Sequence, residues 1–342
     1  MIEPEDTDLP EEELYEHLRI EIDKGQELLR IDKFLMNRVQ NATRTKIQHA
    51  AEAGSILVNG KPVKSNYKVK PFDVISIVLS TPPREIELIP ENIPINIVYE
   101  DEDILAVNKE PGMVVHPGYG NYKGTLVNAL VYHFQNLPKS KTSLSPNTEI
   151  QRPGIVHRID KNTSGLLVIA KNLKSHHALI KQMQKHEIHR HYQALVYGNL
   201  ISGGTIDAPI GRHPAHRIKM AVLESGKNAV THYRILERFL FHTLLDIELE
   251  TGRTHQIRVH LSHKQYPIVG DSIYKTRAHH IPKLSEKAKL AIQQFNHQAL
   301  HAYKLILTHP LTKESLEFNA PLPQDFLELI SLLREDFKNS KK

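Results

Sequence analysis

The densest set of reactive side chains lies in RPGIVHRIDKNTSGLL, Arg152 to Leu167. This stretch reads as an extended approach, a turn and then an apolar strand. Its one carboxylate, Asp160, sits in the turn among His157, Arg158 and Lys161. A carboxylate surrounded by cations is held ionised, the state required of a nucleophile or of a group that stabilises developing positive charge. The same aspartate could equally cap the turn with its side chain, a role that needs no substrate.

Other chemistries fit the sequence less well. His186, His189 and His191 are close together, but a zinc helix of the His-Glu-x-x-His kind needs histidine at the position held by Arg190. Structural or surface roles are expected for these histidines, and no metal site is expected. Gly118, Gly120 and Gly124 approach a dinucleotide loop but have one residue too many, and no clean strand precedes them. Ser164 lies in Thr-Ser-Gly rather than Gly-x-Ser-x-Gly, which argues against acyl transfer. Cysteine is absent, which removes disulfides, thiolate nucleophiles and cysteine-held metals together and fits a reducing cytoplasm.

The elements that must position Asp160 follow from periodicity. Gly165 to Ala170 predicts a buried strand directly after the turn, and Leu173 to Lys185 a helix. Ile95 to Tyr99, Ile104 to Val107 and Tyr192 to Val196 predict further strands, and Leu126 to Phe134 a helix. Leu245, Ile247 and Leu249 alternate with Asp246, Glu248 and Glu250, the pattern of a half-solvated strand, so a largely antiparallel sheet is expected. Phe326, Leu329, Leu333 and Phe337 recur at helical spacing in a final helix, Gln324 to Phe337.

Upstream, Leu28 to Met36 and Thr43 to Ala53 predict two short helices, the second opened by Thr43 and closed by Gly54. Asn59-Gly60 between Ser55–Val58 and Lys61–Val63 is the signature of a two-residue hairpin turn, and Asp73 to Leu79 adds a strand. Four prolines between residues 80 and 94 (Pro82, Pro83, Pro90 and Pro94) predict a stiff linker. The expected organisation is an acidic disordered tail (1–24), a small basic module (25–80), a linker (81–93), a larger domain (94–337) and a basic tail (338–342). A chain of 342 residues suits about two domains.

Charge is unevenly distributed. Residues 1 to 23 hold ten acids against one base, Arg19, so the net charge of +5 becomes +14 for the remainder. A body this basic suits a polyanion, since phosphate neutralisation is the main sequence-independent source of nucleic-acid affinity. No apolar run reaches the roughly 18 residues of a membrane span, and the N-terminus opens acidic, so neither membrane insertion nor export is expected.

Several stretches together resemble one family. HRIDKNTSG, His157 to Gly165, is similar to the signature of the RluA-type pseudouridine synthases. In family order there also occur HPGYGNYKGTLVNAL (His116 to Leu130), HYQALVYG (His191 to Gly198), GRHPAHRIKMAV (Gly211 to Val222), LETGRTHQIRVHL (Leu249 to Leu261), QALHAYKL (Gln298 to Leu305) and FNAPLP (Phe318 to Pro323). The basic module, with LLRIDKFL from Leu28, SILVNGKPVK and DVISI, resembles the RNA-binding module named after ribosomal small-subunit protein four. That pairing points to the RluD-like branch. Four positions depart from the family pattern: Ile159 for leucine, Glu110 after Lys109, His191 before Tyr192, and Tyr266 before Pro267.

The resemblance implies an α+β fold: a mainly antiparallel mixed sheet with flanking helices, preceded by a helix-helix-hairpin RNA-binding domain. It implies isomerisation of uridine to pseudouridine, a reaction needing no cofactor, with Asp160 as the catalytic carboxylate. Ester formation, attack on the base and a glycal route are all compatible with that role, and analogy with the family favours the glycal. Tyr192 would stack on the uracil and accept the ring-carbon proton, and Arg258 would pair with Asp160. Arg158 would fill the space left by a flipped nucleotide, and His157, Thr163 and Ile257 would bind substrate. Sheet packing is the plain alternative for Tyr192, and a phosphate contact or surface ion pair for Arg258. Candidate RNA contacts are Arg44, Lys46, Lys61, Lys64, Lys68 and Lys70 in the basic module, and Lys219.

The expected partner is large-subunit ribosomal RNA, with transfer RNA as the alternative, met on ribosome assembly intermediates by a cytoplasmic monomer. Two other classes use the same basic surface. A non-catalytic assembly factor would be indifferent to loss of Asp160, and a metal-free RNA hydrolase would shorten the RNA.

Overall fold

The computed structural model describes residues 15–39, 42–79, 88–117, 121–134, 139–145, 148–214, 216, 219–274 and 284–341. The chain divides into two compact units, one dominated by residues 1–87 and the other by residues 88–116, 123–140 and 152–342.

The first unit contains strand β1 (Tyr15–Glu21), β2 (Leu29–Arg30), helices α1 (Ile31–Met36) and α2 (Arg44–Glu52), and strands β3 (Ile56–Val58), β4 (Lys61–Pro62), β5 (Lys68–Val69) and β6 (Val74–Leu79). The β3–β4 hairpin turns at Asn59 and Gly60, whose φ angles of 52° and 76° are those an Asn-Gly turn supplies. Thr43 accepts the backbone N–H of Lys46 and caps α2, and Gly54 closes it at positive φ. Ile31, Leu35, Ile47, Ile56 and Ile75 meet in the module's core.

Three expectations for this region are corrected. Helix begins at Ile31 rather than Leu28, because Leu29 and Arg30 pair with Val69 and Lys68 in an extended ladder. The acidic segment is not disordered over its described part: Tyr15 to Glu21 pairs antiparallel with β6. Tyr15 is buried there, Leu18 and Ile20 are half-buried, and Glu16 accepts a hydrogen bond from the Ser76 hydroxyl. Residues 1–14, and residues 81–87 of the expected linker, lie outside the described residues, while Leu88 to Ile93 belong to the second unit, where Asn128 donates to the Ile89 carbonyl.

The second unit is built on strands β7 (Asn96–Glu100), β8 (Ile104–Lys109), β11 (Ser164–Ala170), β12 (His189–Tyr197), β13 (Gly204–Asp207), β16 (Val230–Arg238), β17 (His242–Leu249), β18 (Leu300–Thr308) and β19 (Ser315–Asn319). The short strands β14 (Ile210–Arg212) and β15 (Met220–Val222) form a separate ribbon, while β9 (Lys139–Ser145) and β10 (Thr148–Pro153) pair in another, most of which groups with the first unit. The nine-stranded sheet runs β13-β16-β17-β12-β18-β11-β8-β7, with β19 against β18. Its pairs are antiparallel except β11 with β18. Helices α3 (Leu126–His133), α5 (Gln256–His263), α6 (Glu286–Gln294) and α7 (Gln324–Asn339) pack on one face, and α4 (Leu173–Gln184) on the other.

The strand after Asp160 is apolar throughout because both its faces are covered. Leu167 and Ile169 point into the larger core, while Leu166, Val168 and Ala170 point into the smaller. Gly165, at φ 115°, lets β11 approach β18: a Cβ there would stand 2.3 Å from the Ala302 carbonyl oxygen. The β17 alternation is not half-solvated as expected. Asp246 is buried, because Arg234 and Tyr303 both donate hydrogen bonds to it. The final helix, expected to end at Phe337, continues through Asn339.

Candidate active site

Asp160 lies in the loop that enters β11, and its carbonyl accepts the N–H of Thr163 across the turn. Its carboxylate is reached from a distant part of the chain. α5 starts at Gln256 after His255, which adopts the left-handed conformation at φ 55°. That sharp entry aims Arg258, in the first turn, at the loop. Arg258 Nη1 donates to Asp160 Oδ2 at 2.7 Å, and its Nε and Nη2 donate to the two oxygens of Asp271 at 2.7 and 3.1 Å. Asp271 Oδ1 is itself fixed by the backbone N–H groups of Ile273 and Tyr274, and the Arg258 guanidinium lies over the Tyr274 ring.

The surface-pair alternative for Arg258 does not hold, since its side chain is 2% exposed against 20% for Asp160. Burial alone would push the Asp160 carboxyl up. Positive charge at His255, Arg258 and Arg158, with the Arg258 hydrogen bond, overrides it and holds the group down at about 2. Burial lowers His255 to about 4, so near neutrality the two arginines remain as the positive charges. Asp160 is therefore ionised at any physiological pH.

A small, open cleft lies at this carboxylate. Ile159, Leu249, Ile257 and Leu300 give it apolar walls, and Arg158, Thr163, Arg190, Tyr192, His255 and Arg258 supply polar groups. Tyr192 is buried, and burial raises its phenol above the usual range. Asp160 acts in the same direction and Arg190 against both.

The structure thus brings together Asp160, Tyr192, Arg258, Arg158, Thr163 and Ile257. It does not bring in His157: that ring does not line the cleft, and its Nε2 accepts the backbone N–H of Val168 at 3.1 Å. Burial lowers His157 to about 3, so it is a neutral structural acceptor rather than a cation beside Asp160. The candidate contacts Arg44, Lys46, Lys61, Lys64, Lys68 and Lys70 are all exposed on the first unit. Arg44 has an internal partner as well, since it and Arg30 donate to the buried Asp32. Lys219, half-buried, lies at β15 in the second unit.

Sequence reasoning missed five groups. His255 and Arg190 line the cleft, and Asp271 and Tyr274 hold Arg258. Lys109, buried at the end of β8, donates from Nζ to the carbonyls of Glu110, Met113 and Lys161, pinning the residue after Asp160. Burial pulls Lys109 down to about 7, with Asp160 and Glu110 opposing. Arg190 had a legible signal: it stands two positions before Tyr192, on the same face of one strand.

Residues 29–75 match the S4 domain, and residues 103–263 match the family described as RNA pseudouridylate synthase. The chain is 43% identical over 322 residues to Ribosomal large subunit pseudouridine synthase D of Pasteurella multocida (strain Pm70), covering 94% of this chain and 96% of that protein. It is 46% identical over 309 residues to the Uncharacterized RNA pseudouridine synthase YlyB of Bacillus subtilis (strain 168), covering 90% and 95%. Among solved structures, Human RNA Pseudouridylate Synthase Domain Containing 4 shares the fold at a TM-score of 0.52 and 24% identity, over 70% of this chain and 93% of that one. An RNA-modifying enzyme with an appended S4 domain is the class these matches define. The chain belongs to the RNA pseudouridylate synthase family and is an RNA pseudouridine synthase.

Proposed function

We propose that the chain isomerises specific uridines of large-subunit ribosomal RNA, with Asp160 as its catalytic carboxylate, acting as a cytoplasmic monomer on ribosome assembly intermediates. The observation that carries the site is the ionised Asp160, held by Arg258 at the floor of a cleft walled by Tyr192. The relatives named for the ribosomal large subunit, matched over nearly their whole length, support the choice of RNA.

In this reaction the bond from ribose C1′ to uracil N1 breaks and one from C1′ to C5 forms. The C5 proton leaves and N1 gains one, so composition is unchanged. A uridine in structured RNA must first leave its stack. Arg158 takes the vacated space, Thr163 and Ile257 border the base, and Tyr192 stacks on it. Asp160 acts at the sugar, as the acceptor of the ribose proton on the glycal route, and returns that proton to the same carbon as C1′ bonds to C5. Tyr192 receives the C5 proton after reattachment as its phenolate, a form that burial and Asp160 oppose and the positive charge of Arg190 supports.

Tritium release from uridine labelled at C5 tests the substrate directly. Large-subunit ribosomal RNA should release label and transfer RNA should not. Release from transfer RNA alone would overturn the ribosomal assignment.

A further inference from the structure

Arg190, in the cleft, has no hydrogen-bond or ion-pair partner among the described residues. Arg190 is 7% exposed, and its Nε is enclosed without a hydrogen-bond acceptor. Among the described residues no ion pair or hydrogen bond reaches its guanidinium, although it lines the same cleft as Asp160 and Tyr192. A buried cation without an anion is among the costliest features a fold can carry. Its Nη1 lies against Gly252, where an added Cβ would stand 2.7 Å away.

We propose that Arg190 stabilises the negative charge carried by the detached uracil, and is a further catalytic residue of the isomerisation. When the C1′–N1 bond breaks, its electron pair stays on the base and spreads from N1 onto the carbonyl oxygens. The planar guanidinium, with donors arranged in a fork, matches such an oxygen and strengthens its hold as charge develops. Position favours the base over a phosphate. Arg190 shares the strand face of Tyr192, on the side of the sheet where the base is bound, and is buried where a backbone phosphate would have to leave water entirely. An interaction that tightens only after bond cleavage raises turnover rather than affinity. This inference rests on the reading that the Asp160 cleft holds the target uridine.

The test is Arg190→Met, with Arg190→Lys beside it, assayed under single turnover on large-subunit ribosomal RNA labelled with tritium at uridine C5. The rate at saturating RNA should fall by about 10²–10³-fold for methionine, the scale of losing one oxyanion donor, and by less for lysine. RNA affinity should be unchanged. The thermal midpoint of Arg190→Met should hold or rise, because an apolar side chain replaces an unpaired buried charge. An unchanged rate would overturn the inference. So would weaker RNA binding with a normal rate at saturation, which marks a phosphate contact, or a lowered midpoint accompanying the loss, which marks a packing role. Asp160→Asn, run in parallel, separates the two claims: if it retains turnover, the cleft reading itself fails, whereas an inactive Asp160→Asn beside a fully active Arg190→Met sinks only this one.

Discussion

Arg258 and Asp160, 98 residues apart in the chain, meet at 2.7 Å in the fold. The contact is one arm of a three-part arrangement in which Asp271 grips the same guanidinium at two nitrogens. Asp271 fixes where Arg258 can reach, and Arg258 in turn fixes Asp160. Asp160 is the more exposed of the two carboxylates that Arg258 holds, so its charge is the one presented at the cleft.

Removing the support should therefore disable the carboxylate indirectly. Asp271→Asn is expected to lower turnover by roughly tenfold and to cost about 3 kcal/mol of stability, the low end for breaking a buried charge pair. Denaturant titration and single-turnover rates check the two effects separately. Full activity would show that Asp271 does not position Arg258.

The depressed Asp160 carboxyl makes a pH prediction. Its folded pKa of about 2 lies below the ordinary value of about 3.9 for an aspartate in an unfolded chain. The unfolded state binds the proton first as pH falls, so the stabilisation, on the order of 2 kcal/mol, is fully present above about pH 5 and is lost as pH falls towards 2. Turnover should accordingly show no acid limb near pH 4 to 5 from this carboxylate, as a rate profile on Asp160 and an Asp271→Asn comparison can read. A limb at the ordinary aspartate value would contradict the electrostatics.

At Gly165 the constraint is steric. The backbone is at φ 115°, and an added Cβ would overlap Ala302 backbone atoms at 2.3 to 2.7 Å. Gly165→Ala must part β11 from β18 just beyond the Asp160 turn. Loss of several kcal/mol is expected, at or above the range of ordinary point substitutions, read as a lowered thermal midpoint or failure to fold. A midpoint equal to wild type would refute the tight approach.

For the S4 domain the readout is salt dependence. Lys61, Lys64 and Lys68 are exposed there. Replacing them with alanine should weaken RNA binding and flatten the plot of log affinity against log salt by about one unit per phosphate contact removed. The single-turnover rate at saturating RNA should be unaltered. An unchanged slope would remove these lysines from the interface.

What the sequence made legible was local. The Asn59-Gly60 turn, the Thr43 cap and the apolar run after Gly165 each depend on a few neighbouring residues and form as expected. Asp160 stood out for its cationic neighbours, though one of them misled: His157 sits three residues away yet turns its ring from the cleft to the Val168 backbone. Arg190, Asp271 and Tyr274 acquire meaning only when strands and loops far apart in the chain converge. In β1 the alternation of half-buried Leu18 and Ile20 was masked by the density of acids around it.

The central claim is that the Asp160 carboxylate does chemistry rather than holding a turn. It is tested most directly by tritium release from large-subunit ribosomal RNA labelled at uridine C5, comparing the intact protein with Asp160→Asn. The account predicts release by the intact protein alone, with RNA binding preserved in an Asp160→Asn protein that still folds cooperatively, at a thermal midpoint lowered by the loss of its pairing with Arg258. Release by Asp160→Asn at the intact protein's rate would contradict it.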